Sequence, residues 1–221
     1  MNFYQFGKAI SYIAARLIFK IRYEGLENIP EGGGYIIVCN HISGFDPIII
    51  AHKIAPQIHY IAKAELTANP IMGLIMKGLG VIPIKRGGGD TSALDQGVEF
   101  VREGRILGVF PEGKRSKDGQ PLRPRLGVSV IAGQSKADIL PVAVSYGGMA
   151  RFRASVTVRY GPVIPSDKIT VDLNSPASLR AASKFIMSEI IALLDKVPDP
   201  GLPEKEENVP DLSFPNEEAT E

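Results

Sequence analysis

The sequence predicts a single α/β layered domain, a mixed and largely parallel sheet flanked by helices, preceded by an N-terminal amphipathic helix. Three observations predict it. Short apolar runs bounded by turn residues, such as Tyr35–Cys39 and Ile106–Phe110, alternate with longer segments of helical period. With 221 residues, 44% of them hydrophobic, the chain fits one domain of ordinary size with a proper core. Loops carrying histidine, carboxylate and arginine come directly after the apolar runs, which is where α/β scaffolds build their sites.

Residues 1–22 form the first element. At about 100° per residue, Phe3, Phe6, Ile10, Ile13, Leu17 and Ile21 fall on one stripe, while Gln5, Lys8, Arg16 and Lys20 gather opposite. Every charge on it is positive. The uncharged run from Ala9 to Ala15 falls far short of the roughly 20 apolar residues of a span, and no small-residue cleavage site comes after it. Neither a transmembrane helix nor a signal sequence is expected. The pattern suits a helix lying in the interface of an anionic bilayer, and about equally one covering the protein's own core.

Tyr35–Cys39 reads as a buried strand and Pro47–His52 begins like a helix, so Asn40–Pro47 is a strand-to-helix turn. His41 and Asp46 stand at its two ends. A histidine near its ordinary pKa can take a proton from an alcohol at neutral pH, and a carboxylate on the far ring nitrogen fixes the tautomer and stabilises the imidazolium. Asp46, directly before Pro47, is expected to cap the helix with one oxygen and face His41 with the other. An isolated His-x4-Asp also occurs at purely structural turns, so the pair needs company.

Elements further along the chain supply it. Gly80–Arg86 is a β-like run that delivers Arg86 at its end. Asp90-Thr91-Ser92 caps a helix carrying Leu94, Val98 and Val101 and stopping at Gly104. The strand-like Ile106–Phe110 runs into Pro111-Glu112-Gly113-Lys114-Arg115-Ser116, where two cations and a flexible glycine lie together, and the planar fork of Arg suits a phosphate. Gly127–Lys136 reads as a helix, Ile139–Val144 as a buried strand carrying Pro141, Ser155–Tyr160 as a strand with Val156 and Val158 alternating, and Ser175–Val197 as a long closing helix.

Composition narrows the function classes. The net charge of +1 divides unevenly: the Pro-rich segment from Pro198 to Glu221 holds eight acids and one base, a net −7, which leaves +8 for the rest. Such a tail cannot bury enough apolar area to order itself, and a basic body suits an anionic membrane surface and anionic substrates. Cys39, the single cysteine, lies in a buried run; no internal disulfide is possible, and a core role is expected of it. His41, His52 and His59 lack metal-ligand spacing, so no metal site is expected. Gly32–Gly34 and Gly87–Gly89 lack the endings of phosphate loops and read as turns. No basic and aromatic interleaving points to nucleic acid.

Four stretches together resemble the glycerolipid acyltransferases: Asn40-His41-x-Ser43-x-x-Asp46, Ile84-Lys85-Arg86, Phe110-Pro111-Glu112-Gly113-x-Arg115-Ser116 and Leu140-Pro141-Val142, in this order. The first and third are specific in combination. The resemblance is nearest to the 1-acylglycerol-3-phosphate (lysophosphatidic acid) acyltransferase branch. It implies that His41 is the catalytic base and Asp46 its partner, the HX4D motif. It further implies that Arg86 binds the acceptor's phosphate, that Glu112 and Gly113 help to seat the glycerol, and that Arg115 also meets the phosphate. Lys114 occupies a variable position.

The resemblance also implies a membrane-bound enzyme, which favours the interfacial reading of residues 1–22, with residues 23–197 as the acyltransferase domain and 198–221 as a disordered acidic tail. Leu66–Leu79, rich in Ile and Met, is a second candidate for lipid or acyl-chain contact. The expected reaction has His41 deprotonate a lysophospholipid hydroxyl, which attacks an acyl thioester of coenzyme A or acyl carrier protein with no cofactor, giving phosphatidic acid on the cytoplasmic face of the membrane. No Gly-x-Ser-x-Gly elbow is present, and Cys39 lies too deep for an acyl-enzyme. The alternatives are glycerol-3-phosphate or another lysolipid as acceptor, a lipid-thioester hydrolase, and a membrane-binding module without activity.

Overall fold

The computed structural model describes residues 3–63, 80–84, 92–147 and 153–194. Strand β2 (Ile36–Cys39) is buried along its whole length. Successive side chains of a strand point to opposite faces, so Ile36 and Val38 enter one apolar cluster while Ile37 and Cys39 enter another. A strand apolar on both faces belongs at the centre of a sheet covered on both sides.

Among the described residues the sheet has seven strands in the order β1-β7-β6-β2-β5-β3-β4. The others are β1 (Lys20–Glu24), β3 (Ile58–Lys63), β4 (Ile82–Ile84), β5 (Ile106–Val109), β6 (Ile139–Tyr146) and β7 (Ser155–Tyr160). All neighbours pair in parallel except β6 with β7. The mixed, mostly parallel sheet expected from the sequence is therefore present. Helices α3 (Ser92–Arg102), α4 (Gly127–Ser135) and α5 (Pro176–Leu194) supply the apolar side chains of one face. The other face is closed by α1 (Phe3–Ile18) and α2 (Asp46–Ala51).

Pro141 sits within β6 without costing a bond to β2. The Gly161 amide donates to its carbonyl at 2.8 Å, so the N and O of Pro141 face away from β2, toward the end of β7, where pairing has already stopped at Tyr160.

The N-terminal helix is shorter than the sequence reading of residues 1–22. It stops at Ile18, and Lys20–Glu24 alternates exposed Lys20 and Arg22 with buried Ile21 and Tyr23, forming a parallel edge strand on β7. Ile21 is thus strand core rather than the end of a helical stripe, because the period changes from 3.6 to 2 at Phe19.

Three residues of the stripe point outward: Ile10, Ile13 and Leu17 are 52%, 60% and 66% exposed. The opposite side of α1 is the one that packs on the protein. Ala15 is buried, Lys8 Nζ donates to the Ile54 carbonyl, and the Tyr12 ring stacks on His52 with centroids 3.3 Å apart. Ile10, Ile13 and Leu17 therefore do not cover the protein's own core. Among the described residues no helix is long and apolar enough to cross a membrane. The stretch Leu66–Leu79, the capping pair Asp90 and Thr91, the second glycine run and the acidic tail lie outside the described residues.

Candidate active site

Strands β6, β2 and β5 are adjacent and parallel, so the segments leaving their C-terminal ends emerge at the same edge of the sheet. The His41 loop leaves β2, the Phe110–Ser116 loop leaves β5, and Tyr146 ends β6. The central loop is held from both sides.

His41 Nδ1 lies 2.9 Å from Asp46 Oδ2. A buried carboxylate accepts, so the proton is on Nδ1 and Nε2 is the nitrogen left to meet a substrate. The His41 side chain is 18% exposed and that of Asp46 fully buried. Asp46 Oδ2 also accepts from the amides of Ile42 and Ser43 at 2.7 and 2.8 Å, and Oδ1 accepts from the Tyr146 hydroxyl at 2.7 Å. Burial first, and then the Asp46 charge, push the Tyr146 phenol well above its ordinary pKa.

Asp46 is not the N-cap expected from the sequence. It is the first residue of α2, the cap position belongs to Phe45, and no side chain caps the helix. The physical reason is direction. The carboxylate turns back over the preceding loop, where two amides and the imidazole outcompete the amides of a single short helix.

The third motif acts on the His41 backbone. Glu112 Oε1 accepts from the His41 amide at 3.2 Å, and the Ser116 amide donates to the His41 carbonyl at 2.7 Å. Glu112 Oε2 accepts from the Leu122 amide at 3.2 Å. Only 2% of Glu112 is exposed, and burial raises its pKa. Both oxygens are engaged by main chain, so the visible work of Glu112 is to tie the His41 loop to the segment around Leu122. Gly113 has φ +68°, a left-handed conformation that strains any residue with a Cβ, and the flexible Arg125 side chain lies over it.

Arg115 is exposed and overhangs the His41 loop, with Nη1 3.6 Å from the Cβ position of Gly44. Lys114 is exposed and, among the described residues, makes no hydrogen bond or ion pair. Arg86 lies outside the described residues; β4 is described as far as Ile84. The structure therefore gathers His41, Asp46, Glu112, Gly113 and Arg115 around one loop.

Three contributors escaped the sequence reading. Asn40, 2% exposed, pairs its amide with the Val144 backbone, Nδ2 to O at 2.9 Å and N to Oδ1 at 2.8 Å, so a side chain extends the β2–β6 ladder by one rung. Phe110 stacks on the His41 ring at 4.0 Å between centroids, and Tyr60 stacks on Phe110 in turn. Tyr146 is the third. Asn40 and Phe110 stand inside the motifs and were there to be asked about; Tyr146 is 100 residues from its partner and carries no local signal.

Cys39 is buried in the sheet with its thiol pushed up by burial. Among the described residues no group of three or more His, Cys, Asp or Glu side chains is placed to hold a metal ion.

A family model described as Acyltransferase matches residues 20–145, more than half of the chain. A 1-acyl-sn-glycerol-3-phosphate acyltransferase of Bacillus subtilis is 36% identical over 118 residues, 53% of this chain. The chain spans little more than half of that relative, 58% of its length. A lyso-ornithine lipid O-acyltransferase of Pseudomonas aeruginosa is 30% identical over 197 residues, 87% of this chain and 69% of that one. In fold, the chain is similar to the crystal structure of the 1-acyl-sn-glycerophosphate (LPA) acyltransferase PlsC from Thermotoga maritima, with a TM-score of 0.65 at 24% identity over 87% of this chain and 80% of that one.

Proposed function

The chain belongs to the acyltransferase family, and from that premise we propose that it transfers an acyl chain from a thioester to the free hydroxyl of 1-acylglycerol-3-phosphate, giving phosphatidic acid. The observation that carries the reading is the His41–Asp46 pair, 2.9 Å apart, with the carboxylate buried and the imidazole reachable. His41 Nε2 takes the hydroxyl proton as the oxygen attacks the thioester carbonyl; the tetrahedral intermediate collapses, the thiolate leaves, and the imidazolium returns a proton to it. Asp46 stabilises the imidazolium while its four donors keep it from rotating. The transfer is direct in this reading, since Cys39 is sealed in the sheet and cannot carry the acyl group; coenzyme A or acyl carrier protein enters as the donor, and the chemistry calls on no further cofactor or metal.

Arg115, overhanging the loop, and Arg86 are assigned to the acceptor's phosphate. Lys114 adds positive charge beside Arg115, and Gly113 and Glu112 shape the floor under the glycerol. The exposed stripe of α1 is read as lying in the surface of an anionic membrane on its cytoplasmic face, as a monotopic or peripheral anchor. That position spares the acyl chains an exposure to water worth about 0.8 kcal/mol per CH₂.

A second acceptor class has its own support. The lyso-ornithine lipid O-acyltransferase matches 87% of this chain, as a 1-acyl-sn-glycerol-3-phosphate acyltransferase of the same organism matches 84%, so both acceptor classes stand among relatives that cover most of it. One experiment tests both: purified protein, labelled acyl thioester, and a panel of lysophosphatidic acid, glycerol-3-phosphate, lyso-ornithine lipid and water, with products resolved by mass. Phosphatidic acid as the main product supports the first reading and acylated ornithine lipid the second; free fatty acid alone overturns both.

A further inference from the structure

A cavity of about 310 Å³ opens between the segment after Leu122 and helix α5, lined by Arg123, Pro124, Leu126, Arg180, Ser183 and Lys184. Three of the six are cations. Arg180 and Lys184 are one turn apart on the same face of α5, an arrangement in which like charges repel. Among the described residues the side chains of these three make no hydrogen bond or ion pair. Cations made only for solubility would be spread over the surface; these converge on one hollow, where an anion would relieve their repulsion.

The wall of the cavity is anchored to the active site. The Leu122 amide, next to Arg123, donates to Glu112 Oε2, and the other oxygen of Glu112 accepts from the His41 amide. On the far side, buried Ser183 donates to the Arg125 carbonyl or to Ser129 Oγ, joining α5 to the same segment and to α4. The floor is hydrogen-bonded on both sides, and one carboxylate connects it to the His41 loop.

We propose that Arg123, Arg180 and Lys184 hold a phosphate group of the acyl donor. This rests on the acyl-transfer reading. The volume lies at the small end of ligand pockets, enough for a phosphorylated head and too small and too cationic for an acyl chain. Arginine forks match phosphate geometry, and Pro124 with the partly exposed Leu126 offers an apolar rim for the carbon arm behind the phosphate. Coenzyme A and the phosphopantetheine arm of acyl carrier protein share this chemistry. The acceptor's phosphate is assigned to Arg115 and Arg86, so the two substrates would be held by separate cations.

The test uses the full chain on vesicles containing lysophosphatidic acid, with acyl-coenzyme A and acyl carrier protein as alternative donors. The variants are the double Arg180→Glu/Lys184→Glu and the single Arg123→Gln, all at exposed positions. The expected result is a donor KM raised about tenfold or more in the double variant, with the acceptor KM and Tm unchanged. A rise with both donors supports the shared phosphopantetheine phosphate, and a rise with coenzyme A alone supports its nucleotide phosphates; a rise with the carrier protein alone, whose phosphate coenzyme A shares, overturns the proposal. An unchanged donor KM with both, or an equal rise in the acceptor KM, overturns the proposal. If the parent transfers no acyl group, the acyl-transfer reading fails by itself, and calorimetric titration with coenzyme A then decides the phosphate site. Binding by the parent that the double variant loses upholds it; any other result overturns it.

Discussion

Tyr146 Oη donates a 2.7 Å hydrogen bond to Asp46 Oδ1, the oxygen that His41 does not use. With its pKa pushed up, the phenol stays a donor throughout the physiological range. Removing it leaves one oxygen of a buried carboxylate without a partner, which costs about 1–3 kcal/mol. Tyr146→Phe is therefore expected to lower Tm and to lower kcat about tenfold, with both KM values little changed, because the hydroxyl is spent on positioning Asp46. Parent-like kcat and Tm would show that three donors suffice.

The same bond makes Asp46→Asn interpretable. With its carbonyl at the Oδ2 position, an asparagine keeps the amides of Ile42 and Ser43 and the imidazole, and its NH₂ can donate to Tyr146 Oη. The fold should survive, and what is lost is the negative charge facing the imidazolium. Turnover should fall by about 10² or more for Asp46→Asn and by about 10²–10⁴ for His41→Ala. Near-normal rates in either variant at saturating substrate would remove general-base catalysis from this site.

Which features were legible in the sequence depends on how local their causes are. Strands β2, β5, β6 and β7 and helices α3, α4 and α5 announce themselves through apolar period and flanking turns, and His41, Asp46 and Arg115 through motif spacing. β1 is hidden in the sequence because Ile21 continues the helical stripe for one more step, and only the partner strand β7 decides in favour of period 2. β3 has His59 and Lys63 among its apolar residues and gives a weak pattern until β5 and β4 pair with it. The direction of the Asp46 carboxylate and the hydroxyl of Tyr146 depend on β6 lying beside β2, a contact that no local pattern encodes.

Arg115 reaches over the His41 loop from the third motif. If it grips the acceptor's phosphate, Arg115→Ala should raise the KM for lysophosphatidic acid about tenfold or more while the donor KM stays put, and Arg115→Lys should recover only part of the loss, since an ammonium cannot replace a fork. Equal effects on both substrates would take Arg115 out of phosphate binding.

His52 makes the docking of α1 sensitive to acid. Its ring lies under Tyr12 of α1, and burial first, then Lys53, Lys8 and Arg16, bring its pKa down to about 4. The unfolded chain takes up this proton near the ordinary value of about 6.5, so between the two the unfolded state binds more protons. Stability therefore falls as pH drops from about 6.5 toward 4. His52→Phe keeps a ring for the stack and cannot titrate. Its Tm should exceed the parent's by a growing margin across that window, and curves that run parallel would show that His52 is not the cause.

The outward stripe of α1 leads to the last prediction. Ile13 and Leu17 are 60% and 66% exposed, while the side carrying Lys8, Tyr12 and Ala15 is occupied by the protein, so substitutions on the stripe should spare the fold. Burying an aliphatic side chain in the acyl boundary contributes about 1.5–3 kcal/mol, and an aspartate there is repelled by anionic headgroups as well. Ile13→Asp together with Leu17→Asp should lower partitioning onto anionic vesicles at least about tenfold, with Tm unchanged and activity on bilayer-embedded acceptor reduced in parallel. Acceptor dispersed in detergent should restore the rate, because the His41 site is untouched. If the double variant still sediments with vesicles like the parent and keeps full activity on them, the stripe does not anchor the protein and another surface must carry the membrane contact.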